Sequence, residues 1–292
     1  MFQDIVRKIR SSAHLVTEDL GPDYPEIRAH VLDRIRTAKV GEKPFYHSFI
    51  DRIFPDDFYA ALHAHMLEFK GSEKMQARKQ DNAKFVNRRY NLVDSEKLIV
   101  RQLRAIFEDP EVKLTLFSKF YIDPSADLPR EIHIHKEFEF VYCEPNRFQN
   151  IHVDIPPKFM SFVFYIPEHK VSERDEELNA TVLYDKDLKP QYAARFRANS
   201  VCIFVPHFYS YHGFSSTIER DVLVMFYVHE DELKQWKRIV NRDNSPYEGI
   251  LGAIEAKIGR HPLIEYGRDP ARIAAERAAC RINAPNGRVM VD

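Results

Sequence analysis

EFEFVYCEPNRFQNIHVDIPPKFMSFVFYI, residues 137–166, alternates side chains on a period of two inside each apolar run and breaks at turn-forming Pro and Asn between runs. The same texture continues to residue 228. FEFVYC (138–143), FQNIHVD (148–154), MSFVFYI (160–166), ATVLY (180–184), QYAARFRA (191–198), SVCIFV (200–205), SYHGFS (210–215) and DVLVMFYV (221–228) read as eight short strands. With no helical pattern between them, an antiparallel barrel or a two-sheet jelly roll is expected.

On either side the period lengthens. Leu62, Met66 and Phe69, then Leu98, Ile99, Leu103, Ile106 and Phe107, recur at spacings of three and four, which stack side chains on one helix face. After Val228 helical spacing returns in HEDELKQWKRIVNR, YEGILGAIEAKIG and DPARIAAERAACR, ahead of a polar tail, NAPNGRVMVD. The expectation is one domain: residues 1–136 as helical support and substrate cap, 137–228 as the β-core, and 229–292 as helices and tail. Residues 71–82, polar and charged, read as a loop.

Lys and Arg total 43 against 44 Asp and Glu, so the net charge of -1 supplies no long-range field for collecting nucleic acid or an anionic membrane. No apolar run approaches the roughly 20 residues that cross a bilayer, and the first residues lack the pattern of a secretory signal. A cytoplasmic protein is expected. Cys143, Cys202 and Cys280 form no CxxC pair, which suits reduced, structural thiols.

A non-haem iron centre that binds a co-substrate and O2 together needs three protein ligands on one face, and two imidazoles with one carboxylate provide them. HVD at 152–154 supplies two, because residues i and i+2 of a strand point the same way. The pattern alone is weak: 13 His and 21 Asp in 292 residues give about one HxD by chance, and a second occurs at His229–Asp231. That second pair opens a polar helical run, where i and i+2 diverge. His212, in a later strand, is the candidate third ligand. Arg220, eight positions on, is in phase with Val222, Val224 and Phe226. A guanidinium on an apolar row implies an anion, either an incoming ligand or an internal salt bridge to Asp154 or Glu139.

These residues resemble the double-stranded β-helix core of the 2-oxoglutarate/iron(II)-dependent oxygenases, the superfamily of prolyl and small-molecule hydroxylases. The motif elements are Tyr142, His152, Asp154, His212 in YHGF, and Arg220, spread over about a third of the chain. The resemblance implies a mainly-β jelly roll with flanking helices, with Fe(II) on His152, Asp154 and His212. It gives Arg220 the distal carboxylate of 2-oxoglutarate and gives Tyr142 an assisting role. Ser216, Thr217 and Asn199 are weaker candidates beside the co-substrate. O2 would be consumed, succinate and CO2 released, and ascorbate would act as a supporting reductant. A carboxylate at Asp154 favours hydroxylation, or another C–H oxidation such as desaturation or ring closure, over halogenation, whose enzymes resemble the rest but carry a small residue there.

Two other readings stay open. His133, His135 and Glu139 resemble the HxHxxxE motif of cupins, with His212 to complete it, and a barrel can bind metal or ligand without turnover. Substrate contacts are expected outside the shared core, at Arg88, Arg89 and His135, with Arg147 and Lys158 near the mouth; Trp236 reads as a packing residue. A free amino acid or similar small polar molecule is the expected substrate, with a peptidyl target as the alternative. No nucleic-acid or membrane partner is expected, and a homodimer stays open.

Overall fold

Proline at the start of YPEIRAHVLDRIRT and arginines in its last turn suit both ends of a helix, and Tyr24–Thr37 forms α1, burying Ile27, Val31, Leu32 and Ile35. In this computed structural model residues 20–70, 76–79, 86–120, 132–152, 154, 158–206, 210–231 and 234 are described. There follow β1 (His47–Asp51), α2 (Asp56–Phe69), β2 (Gln76–Lys79), β3 (Val86–Asn91), α3 (Leu98–Glu108), α4 (Pro110–Phe120) and β4 (His133–Ile134). α3 buries Val100, Leu103, Ile106 and Phe107, whereas Leu98, expected on that face, is 43% exposed.

The eight strands read from the sequence are all present. They are β5 (Glu139–Cys143), β6 (Phe148–His152), β7 (Lys158–Tyr165), β8 (Thr181–Tyr184), β9 (Pro190–Ala194), β10 (Ser200–Phe204), β11 (His212–Ser215) and β12 (Arg220–Val228). Between β7 and β8 lies a short helix, α5 (Glu173–Leu178), capped by Ser172, whose hydroxyl accepts from the Asp175 amide. All the strand pairings are antiparallel. The larger sheet runs β1-β10-β7-β12-β5-β3-β2, with β4 also on β12; the smaller runs β6-β11-β8-β9. The result is a two-sheet jelly roll with helices against one face.

The stretch before residue 137 is more than a helical support, because β1 to β4 all extend the larger sheet. HSFID and VNRRYN are too short and polar to show an alternation, and they become strands only because β10 and β5 offer them free edges. Within the segment expected as a loop, Gln76–Lys79 pairs with β3. The helical patterns beyond residue 234, Trp236 and Cys280 lie outside the described residues. No helix among the described residues is long and apolar enough to cross a membrane.

The larger sheet is apolar on both faces. One face, with Phe140, Phe162, Phe164, Leu223 and Met225, packs on Leu62, Met66, Leu103 and Phe107 of the helices. Phe107 meets Phe162 and Phe164 edge-on at 5.6 and 5.4 Å between ring centroids. The other face, with Val141, Tyr165, Cys202 and Val222, turns into the roll towards Leu183 and Phe196. A one-residue slip of β7 would move Ser161 into the helix-side core and displace Phe162 and Phe164, each worth about 2–3 kcal/mol of burial. That difference holds the register, and with it the inward direction of Ser161.

Candidate metal and co-substrate site

His152 ends β6 and His212 begins β11, and the two are direct partners in the antiparallel ladder. Their rings stand 4.2 Å apart between centroids, tilted at 50°. Asp154 lies two residues beyond His152. One ligand atom from each of His152, Asp154 and His212 falls within 4.8 Å of the other two, and among the described residues no other group of histidine, cysteine and carboxylate side chains does so.

Neighbours set the chemical state of these donors. His212 Nδ1 lies 2.8 Å from the Ser210 carbonyl oxygen, which can only accept, so Nδ1 carries the proton and Nε2 keeps its lone pair. Burial, reinforced by the charge of His152, pushes the His212 pKa down to about 3, so the ring is neutral at physiological pH. Asp154 accepts from Lys158 Nζ at 2.9 Å on Oδ1 and from the Ser161 hydroxyl at 2.6 Å on Oδ2. Burial works against its charge, but the Lys158 ammonium, helped by the Ser161 hydroxyl, outweighs it and holds the carboxyl well below the usual carboxylate range. The Gln149 amide nitrogen stands 3.1 Å from His152 Nε2. Two imidazoles and an ionised carboxylate gathered on one wall fit a divalent iron ion with room for further ligands.

The cavity beside them holds about 260 Å³ and is also lined by Arg220, Thr181, Phe214 and Val222. Arg220 is only 2% exposed. Its Nε donates to the Asn179 carbonyl at 3.0 Å, one terminal nitrogen donates to Thr181 Oγ1 at 2.7 Å, and the guanidinium lies 3.9 Å over the Phe214 ring. Neither internal carboxylate candidate reaches it, since Asp154 is on Lys158 and Glu139 is on Arg89. Burial depresses the Arg220 pKa, as expected of a cation set in a wall with no carboxylate partner among the described residues. The Tyr165 hydroxyl also donates to Thr181 Oγ1, at 2.7 Å.

Solved structures share this architecture. A Pseudomonas putida prolyl-4-hydroxylase matches with a TM-score of 0.50 at 15% identity, over 69% of this chain and 98% of its own. A Trichoplax adhaerens prolyl hydroxylase, solved with a peptide fragment of the hypoxia inducible factor oxygen degradation domain, matches at 0.50 and 11% identity, over 72% of this chain and 92% of its own. The fold is that of the prolyl hydroxylases. No family model matches the sequence, and no curated protein does. At these identities the likeness is one of fold, and the chemistry rests on the site.

Within this prolyl-hydroxylase fold several expected residues stand elsewhere. Tyr142 shares its phase with Phe140 as read, but that face meets the helices; its hydroxyl donates to Glu219 Oε1 at 2.8 Å, away from Arg220. Thr217 contacts Asn179 through its amide and hydroxyl, so it reaches Arg220 only through the Asn179 carbonyl. The Ser216 hydroxyl donates to backbone carbonyls of Glu144 and Arg147. Asn199 clamps the backbone of Phe54 from both sides, at 3.0 and 2.8 Å.

Of the substrate candidates, Arg89 lines the cavity, whereas Arg88 is exposed on the opposite face beside Lys70 and Tyr142. His135 is buried next to β12, with Nδ1 accepting from the Glu137 amide, and it does not line the cavity. Arg147 pairs with Glu144. The cupin arrangement does not form: His133 bonds Glu108, and neither His133 nor His135 joins the metal group.

The sequence reading missed Thr181, Tyr165, Asn179 and Ser161. Ser161 carried a signal, a lone serine in the apolar run MSFVFYI seven residues after Asp154. Thr181 and Asn179 carried none, because their role comes from a neighbour 39 and 41 residues away.

Proposed function

We propose that the chain is an iron(II)- and 2-oxoglutarate-dependent oxygenase that hydroxylates an unactivated C–H bond of a small polar molecule such as an amino acid. One observation carries this reading. Arg220, fully buried and without a carboxylate partner among the described residues, opens on the same cavity as His152, Asp154 and His212. A buried cation left uncompensated costs several kcal/mol, and a carboxylate entering the cavity offsets that cost. 2-Oxoglutarate has one carboxylate for Arg220 and a keto acid end for the metal.

Iron with 2-oxoglutarate and O2 supplies the oxidising power, releasing succinate and CO2. The chain's own part is orientation and dryness. His212 presents Nε2 because Ser210 holds its other nitrogen. Asp154 stays ionised with both oxygens held. Asn179 and Thr181 fix the plane of Arg220, so its remaining N–H groups meet a carboxylate as a fork. Val222, Val224, Phe204 and Phe226 line the same space with apolar surface and exclude water.

The test is succinate release by purified protein given iron(II), ascorbate and 2-oxoglutarate, with and without a panel of amino acids and proline-bearing peptides. Turnover by the native protein, abolished together with metal binding in His152→Ala, is expected. Iron binding without any succinate across the panel would leave a metal-binding barrel. Stimulation by the peptides alone would assign a peptidyl target, the class that the Trichoplax protein was solved with.

A further inference from the structure

Resting on the oxygenase reading above, we infer that Arg89 receives the carboxylate of the primary substrate, which makes that substrate a small amino acid or related carboxylic acid. β3 lies on the outer side of β5, and Arg89 stands opposite Val141 there, with both residues lining the cavity. Arg220 faces β5 from the other side, at the level of Cys143. Two arginines therefore flank one strand on its cavity face, about 10 Å apart from the strand spacing.

The cations of this cavity can be accounted for one by one. Lys158 is committed to Asp154. Arg220 answers the distal carboxylate of 2-oxoglutarate, whose other end belongs to the metal. Arg89 remains. One of its terminal nitrogens donates to Glu139 Oε2 at 2.8 Å, and the two side chains are 17% and 6% exposed. Its Nε is buried and has no hydrogen-bond partner among the described residues.

In a guanidinium, Nε and the terminal nitrogen on its own side form one edge, the edge that grips a carboxylate with two parallel N–H···O bonds. Glu139 occupies the other terminal nitrogen, so it orients the group and leaves Nε without an acceptor among the described residues. A buried, unsatisfied N–H beside a ligand cavity is costly in the empty site and is repaired by an acceptor that enters. The primary substrate is the component of the reaction whose charge is not yet matched.

The experiment uses the iron-loaded protein without O2, titrated first with 2-oxoglutarate and then with the proteinogenic amino acids, C3–C6 carboxylic acids, their carboxamides and phosphate monoesters of similar size. A carboxylate ligand should bind about 10- to 100-fold more tightly than its own carboxamide. Arg89→Met should lose that preference and bind the carboxylate as weakly as the amide. Arg89→Lys keeps a cation for Glu139 but lacks the fork, and should lose most of the preference while holding the native melting temperature. Arg89→Met with Glu139→Gln controls for the carboxylate left unpaired in the single variant.

If 2-oxoglutarate fails to bind the native protein, the oxygenase reading itself fails. If it binds but no carboxylate in the panel does, or phosphate esters bind instead, or the preference survives in all the Arg89 variants, the inference about Arg89 is overturned and the oxygenase reading stands.

Discussion

Arg220 and Thr181 show how a single side chain acquires a function from what surrounds it. Thr181 Oγ1 accepts from both Arg220 and Tyr165, so its own proton is free to be donated, and the three polar groups sit in an otherwise apolar wall. Replacing Arg220 by Lys preserves the charge but cannot reproduce the bonds to both the Asn179 carbonyl and Thr181. Affinity for 2-oxoglutarate should fall about 10- to 100-fold, while iron affinity changes less than about threefold, because a charged hydrogen-bond pair is worth roughly 1.5–3 kcal/mol. Tyr165→Phe removes one neutral bond and should cost only about 2- to 10-fold. Anaerobic titrations of 2-oxoglutarate into iron-loaded protein separate the two. Equal losses would mean that charge is all that Arg220 provides.

Among the elements, β10 begins at a turn whose geometry is set by one residue. Asn199 adopts φ of +57°, in the left-handed region that an asparagine tolerates, and its amide bonds both the N–H and the C=O of Phe54. This ties the α2 approach to the β1–β10 edge of the larger sheet, two strands away from β12. Asn199→Ala should destabilise the fold by about 2–4 kcal/mol, from two buried hydrogen bonds and the backbone strain, and Asn199→Gly should recover the strain portion. Denaturant midpoints measure this, and 2-oxoglutarate affinity should be unchanged in both variants.

The same element scale shows what the sequence made legible. β5 to β12 were readable because each alternates over four residues or more; His152 and Asp154 were paired by strand phase, and His212 was chosen from a later strand. Tyr142 was placed in the right phase but on the wrong side. Period two says which residues share a face, and when both faces are apolar it does not say which one is inner. β1 and β3 were invisible because their pairing is dictated by edges that β10 and β5 create only after folding. Asn179 and Thr181 became partners of Arg220 for the same reason.

At the scale of the whole molecule, the larger sheet separates two electrostatic settings that adjacent residues of β12 supply. Arg220 faces the cavity, and Asp221, 1% exposed, faces the helix side, where Lys70 at the end of α2 bonds Asp221, Glu219 and Glu168. This cluster joins α2, the turn after β7 and β12. Burial pushes the Asp221 pKa up to about 6, even though Lys70 beside it pulls the other way. Lys70 itself, disfavoured by burial but outweighed by its bonds to Asp221 and Glu168, is held above its ordinary value and stays charged throughout this range.

A carboxyl whose folded pKa exceeds its unfolded value of 3.8 binds its proton more tightly in the native state. Its contribution to stability is therefore in place below about pH 4 and is lost as the pH rises through 6. Asn at this position cannot titrate, so the native protein should lose stability relative to Asp221→Asn between pH 4 and 7, by at most about 3 kcal/mol. Urea midpoints of both proteins at unit pH steps measure the gap. A gap that stays constant would place the Asp221 pKa at its unfolded value, and a gap that moves the other way would mean that Lys70, rather than burial, controls the carboxyl.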